Sequence, residues 1–102
     1  MPVEPANRRP RILGSAYAEM NHAADEYDEA RPGLGDDFLS AVESAFSLVF
    51  AAPQRWPLVD ARHRRFVLKR RPFSIFYRFN EIEVVFVAVA HHKRAPGYWA
   101  QR

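Results

Sequence analysis

With 102 residues, 48% hydrophobic and 14% aromatic, and no cysteine, the chain has the apolar mass to close one two-layer core as a single domain over 1–102, which excludes wholesale disorder, a disulfide framework and a thiolate metal site. The net charge of +3 conceals −5 over residues 1–53 (four Arg, nine acids) and +8 over residues 54–102 (eleven Lys or Arg, three acids), and a basic half attracts phosphate or an acidic protein. The longest apolar run, Val84–Ala90, is far short of the ~20 residues of a spanning helix, and Met1–Pro5 has no apolar signal core, so the expectation is a soluble, cytoplasmic protein with no membrane partner.

Residues 1–11 hold three Pro and three Arg and read as a loose leader. A partly extended leader could supply a fourth strand, although Pro10, which lacks a ladder donor, weakens it. Ser15 is the expected N-cap of a first helix. From there Tyr17, Met20, Ala23, Ala24 and Tyr27 recur at three- and four-residue steps, the spacing of one buried helical face. Glu19 and the acids Asp25 to Glu29 fall on the opposite, solvated face. The segment Arg31-Pro32-Gly33-Leu34-Gly35 ends this helix, because proline disfavours helical geometry before it and glycine permits reversal. Asp36 or Asp37 then caps a second helix whose stripe is Phe38, Leu39, Val42, Ala45, Phe46, Val49 and Phe50, ending at Ala51-Ala52-Pro53. The two helices form an antiparallel hairpin over about 15–52.

Beyond Pro57 the apolar period drops to two. Strands are expected over His63–Arg70, Phe73–Phe79 and Ile82–Ala90, with turns at Arg71-Pro72 and Asn80-Glu81. The last strand is apolar on both sides, so it is placed centrally and covered on both faces. A basic, aromatic tail, residues 91–102, leaves the sheet. The fold class is α+β: an N-terminal antiparallel helical hairpin packed on one face of a three- to four-stranded, mainly antiparallel sheet over about 63–90.

Four strings occur in a telling order: Glu26-Tyr27-Asp28-Glu29-Ala30-Arg31-Pro32-Gly33-Leu34-Gly35 with Phe38-Leu39; Arg64-Arg65-Phe66-Val67-Leu68; Pro72-Phe73-Ser74-Ile75-Phe76-Tyr77-Arg78; and Val87-Ala88-Val89-Ala90-His91-His92-Lys93-Arg94 with Pro96, Tyr98 and Trp99. With them the chain resembles the RelE/ParE superfamily of bacterial type II toxins over roughly residues 15–100. The resemblance implies a small growth-inhibiting toxin that a cognate antitoxin, through an acidic or partly disordered C-terminal segment, folds over and silences. It also implies one of two targets. RelE-like members are similar to ribosome-dependent endoribonucleases acting on ribosome-bound mRNA, whereas ParE-like members poison DNA gyrase without cleavage chemistry of their own. Arg-Pro-Gly-Leu-Gly after the first helix and the terminal His-x-x-Arg-x-Pro-x-x-Trp look more like the ParE-like branch. The chain departs from the pattern in its leader, in Arg71 before Pro72 where a Phe is usual, and in running only to Arg102 without a longer C-terminal helix, which leans away from the ribonuclease branch.

RNA cleavage without metal needs a base, a cation for the phosphorane and an acid for the leaving oxygen. With only Lys69 and Lys93 as lysines, the candidates are Arg65 and Arg94 as phosphate clamps, Tyr98 as acid and His91 or His92 as base. The competing reading makes Arg65 and Lys69 a solvated strand face and packs Tyr98 on the sheet edge. His91 and His92 leave a strand on opposite sides, and His22 and His63 lack ligand spacing, so neither metal nor cofactor is expected. Arg64, Arg65, Lys69, Arg70 and Arg78, set among Phe66, Phe76 and Trp56, suit stacking on exposed bases or anchoring of an antitoxin tail, and the second use is preferred. Trp99 is a partner anchor or, more in keeping with its size, a plug for the sheet. Three functions stand side by side: gyrase poison, endoribonuclease, and a relic that binds its antitoxin and nothing else.

Overall fold

A computed structural model describes residues 7–102. Its elements are β1 (Arg9–Ile12), α1 (Gly14–Ala30), α2 (Leu34–Ala51), β2 (Arg64–Val67), β3 (Phe73–Phe79) and β4 (Glu83–His91). One sheet has the order β1-β4-β3-β2, with β1 parallel to β4 and the other two pairings antiparallel. The helical hairpin lies on one face, so the expected α+β arrangement is present with four strands. No helix among the described residues is long and apolar enough to cross a membrane.

The leader is where expectation and structure part. Residues 1–6 lie outside the described residues, but Arg9, Pro10 and Arg11 are strand, not loose chain. The N–H groups of Arg9 and Leu13 donate to Ile82 and Phe86 carbonyls at 2.9 and 3.1 Å. Donors facing β4 therefore fall on every second residue, and Pro10 faces the open edge, where a missing N–H leaves no ladder bond unmade. Leu13, not Ser15, precedes α1, and no side chain caps it. The sheet sets the entry angle in place of a cap.

The hairpin turn also differs in its chemistry. Neither Asp36 nor Asp37 caps α2; Gly33 holds that position at φ 95°, a left-handed conformation that suits glycine. Asp28, assigned to a solubilising face, accepts the N–H groups of Gly33 and Gly35 through Oδ1 at 3.2 and 2.7 Å. It thereby satisfies donors that the start of α2 leaves open. Asp36 and Asp37 sit in the first turn, where their charge suits the helix dipole. At Gly35 a Cβ would lie 2.5 Å from the Ala24 carbonyl oxygen and 2.6 Å from Asp28. Gly35→Ala is expected to cost about 1–3 kcal/mol by forcing the helices apart; urea unfolding measures it, and an unchanged midpoint would contradict the close approach.

On the helix side of the sheet Phe38, Val42, Val49, Ile75, Tyr77 and Val84 are fully buried. Tyr17, expected in the buried stripe, is 48% exposed; the face instead runs through Ala16, Met20, Ala23 and Ala24, whose three alanines seat α1 close to the sheet. The Tyr77 hydroxyl donates to the Pro53 carbonyl at 2.7 Å, and burial pushes its pKa up to about 12. The strand β2 is shorter than expected because Arg70, at φ 62°, folds the chain back early and the Leu68 N–H closes on the Phe73 carbonyl.

The strand β4 is central and buried from Val84 to Ala90, as its double apolarity requires. Phe76 pairs with Ala88 but Tyr77 with Phe86, so Val87 is an extra residue. This bulge lets Phe86 and Val89, three apart, both face the helices. Val85, Val87 and Ala88 form a second cluster with Trp99 on the other face. The cover there is the tail itself: residues 91–102 do not leave the sheet but fold back across it.

Candidate functional site

Where the tail recrosses the sheet it leaves an open cleft of about 400 Å³, walled by Arg65, Ser74, Phe76, His92, Arg94 and Trp99 among others. Strand alternation places Arg65 and Ser74 on this side. Arg65 Nε donates to Ser74 Oγ at 2.8 Å, and Ser74 Oγ lies 2.9 Å from His92 Nε2. Arginine has no acceptor, so Ser74 accepts from it and has His92 as the partner for its own proton. Ser74 is buried at 1% exposure, which makes this chain a fixed part of the wall.

Trp99 is 5% exposed. It stacks on Phe76 at 4.2 Å between centroids and takes the edge of His63 at 4.9 Å. The ring is therefore packed into the second face of the sheet, at the wall of the cleft. The His63 Nδ1 is 2.8 Å from Asp60 Oδ2, while Asp60 Oδ1 accepts the backbone N–H groups of Arg62 and His63. Those two backbone bonds, opposed by partial desolvation and aided by His63, hold the Asp60 pKa below the usual carboxylate range.

Glu19 ties the tail to α1. Its carboxylate, only 13% exposed, accepts the Val89 N–H at 3.2 Å, Arg102 Nη1 at 2.9 Å and the Tyr98 hydroxyl. Arg102 also reaches the Val87 carbonyl at 3.2 Å. Arg94 lies with its guanidinium 3.9 Å from the Tyr98 ring centroid and 4.0 Å from Glu19 Oε2. Burial, together with the hydrogen bond to Glu19, raises the Tyr98 pKa well above the ordinary tyrosine range. A phenol whose proton is held by a carboxylate is a poor acid for a leaving group.

The structure thus gathers Arg65, His92, Arg94, Tyr98 and Trp99 at one cleft. It does not gather the rest. His91 borders the cleft, but its ring packs edge-on against Phe73 on the helix side, at 4.9 Å. Arg64 points to the helix side too, where Nη1 donates to the Trp56 and Gln54 carbonyls at 2.7 and 3.1 Å. Phe66 and Trp56 join that same core while Phe76 lies on the tail side, so the expected single basic-aromatic surface is split between two faces. Lys69 and Arg70 are exposed in the β2–β3 turn, and Arg78 sits towards the far end of the tail face. Glu19 and Ser74 were missed by sequence reasoning. Each had a faint signal: Glu19 lies one turn from buried Ala16 and Ala23, and Ser74 is a small polar residue inside an apolar strand.

A family model described as "ParE toxin of type II toxin-antitoxin system, parDE" matches residues 11–96. No curated protein matches the sequence. Among solved structures, nine chains match. One, from the "Chromosomal ParDE TA system from P. aeruginosa", superposes with a TM-score of 0.75 at 16% identity, covering 83% of this chain and 96% of that one; at that identity the likeness shows the fold.

Proposed function

Since the chain belongs to the ParE toxin family of type II toxin–antitoxin systems, we propose that it arrests growth in the bacterial cytoplasm by poisoning DNA gyrase, as a binding protein without cleavage chemistry, and that a cognate antitoxin neutralises it. The observation that carries this reading is the commitment of the groups a ribonuclease would need. Tyr98 donates its hydroxyl hydrogen bond to Glu19, Arg65 Nε is held by Ser74, and the His91 and His92 rings are turned to opposite faces of the sheet. Binding remains open to the exposed Arg94, 56% accessible, and to Lys69 and Arg70 at the turn. This reading seats the antitoxin's acidic segment on the outer strand β2 and that turn, where Lys69 and Arg70 are exposed near exposed Val67. Basic side chains beside apolar ones suit an acidic, partly disordered chain that folds on contact.

The test is induction without antitoxin, with DNA and protein synthesis labelled separately over minutes and primer extension on an abundant message. Early arrest of DNA synthesis with intact messages is the expected result. New mRNA ends inside codons, with translation stopping first, would overturn it in favour of ribosome-dependent cleavage of mRNA. Arg94→Ala is expected to abolish the arrest while leaving thermal stability nearly unchanged, because its ion pair with Glu19 is long, at 4.0 Å, and its own side chain is more than half exposed. Equal losses of both would make Arg94 a structural residue.

A further inference from the structure

A second cluster lies at the other end of the tail face. Arg11 on β1, Val85 on β4 and Arg78 on β3 are register partners, so their side chains share one row and one face. Extending the β2–β3 register by one residue sets His63 beside Arg78. Arg78 Nε and His63 Nε2 are the two side-chain nitrogens or oxygens that are buried without a hydrogen-bond partner among the described residues, and they fall in neighbouring positions of this row. A cleft of about 180 Å³ opens here, lined by Arg62, Arg78, Asn80 and Glu83.

The charges do not balance. Arg11 Nε and Nη2 take both oxygens of Glu83, each at 3.1 Å, which neutralises that pair. Arg62 and Arg78 have no ion pair among the described residues, and a buried donor left unmade is costly. Asn80 Oδ1 accepts the Ile82 and Glu83 N–H groups at 2.8 and 3.0 Å, so its amide nitrogen remains as a further donor at the wall. Burial, then the Arg62 and Arg11 charges, with Glu83 opposing, hold the Arg78 pKa below the usual guanidinium range. An anion in the cleft would relieve that repulsion.

We propose that the cleft between Arg62 and Arg78 binds a phosphate group. The excess of two positive charges suits the anionic oxygens of a phosphoryl group, as a monoester dianion or a diester monoanion, and two guanidiniums with an amide offer more donors than the two oxygens of a carboxylate can accept. The shared chemistry covers a free phosphoryl compound and a nucleic-acid backbone. It does not rest on the toxin reading, and its test has no growth readout.

Full-length protein with 15N-labelled arginine is titrated with inorganic phosphate at constant ionic strength, following the arginine Nε–H signals by NMR. Saturable movement of the Arg78 and Arg62 signals is expected, with affinity about tenfold weaker in Arg62→Gln. Arg62 is exposed, so that variant stays folded and keeps the test decisive if Arg78→Gln does not. Acetate is the carboxylate arm and a short DNA duplex the backbone arm. A duplex that moves the same signals and competes with phosphate supports the site and names the backbone as source. Signals that answer phosphate but not the duplex support it with a free phosphoryl group as source. Acetate saturating the site equally well, no saturation by phosphate, or unchanged affinity in Arg62→Gln overturns the proposal.

Discussion

Trp99→Ala is expected to lower the free energy of unfolding by about 3–5 kcal/mol, the range for removing a large aromatic from a packed site. Trp99 is the one large side chain of the tail that is fully inserted against the second face of the sheet, beside Val85, Val87 and Ala88. Its ring also covers Phe76 and the buried His63, so truncation opens a void and admits water to Asp60–His63. Denaturant unfolding followed by far-UV circular dichroism measures the loss. A cost below about 1 kcal/mol, the scale of a surface change, would mean that the tail does not rest on the sheet in solution. Trp99→Phe should recover much of the loss, since it keeps the stacking on Phe76.

Glu19→Gln should cost about 2–3 kcal/mol, because it leaves Arg102 without its counter-charge in a partly buried site while the backbone donor at Val89 can still be satisfied. Residue 19 is the one point on α1 that holds both the last residue of the chain and the hydroxyl of Tyr98. The loss should be local first. Amide hydrogen exchange is expected to quicken at Ala100 and Arg102, whose N–H groups donate to Gly97 and Trp99 carbonyls, before it quickens at β3. Uniform acceleration through β3 and β4 would show that Glu19 supports the whole sheet and not the tail alone. Combining Glu19→Gln with Tyr98→Phe should cost less than the sum of the two, since the pair shares one hydrogen bond.

Much of the candidate site could be named in advance, and little of it could be placed. Arg94, Tyr98 and His92 were recognisable as chemistry-bearing residues because the tail concentrates charge and aromatic rings in few positions, and Arg65 because it lies in a basic, aromatic strand. Their state was not recognisable. Tyr98 as an available acid and Tyr98 as a donor locked to Glu19 are the same letter in the same tail, and the choice depends on a carboxylate 79 residues away. Arg64 and Arg65 look interchangeable as a pair, yet alternation sends one under the helices and the other to the cleft.

The α+β class, the hairpin, the central strand and the turn at Pro32-Gly33 were determined by the sequence itself, because local periodicity and backbone preference act over a few residues and leave a pattern that can be read one turn at a time. Other features belong to the tertiary structure alone. Pro10 enters a strand only because β4 takes donors from its neighbours. Asp28 caps a helix that is not its own, Glu19 is buried only once the tail returns to it, and Arg78 is left with an unanswered nitrogen only because three other elements close around it. Each depends on groups far apart in the chain meeting after the sheet has formed, and no local preference encodes which of two equally polar residues will then find a partner.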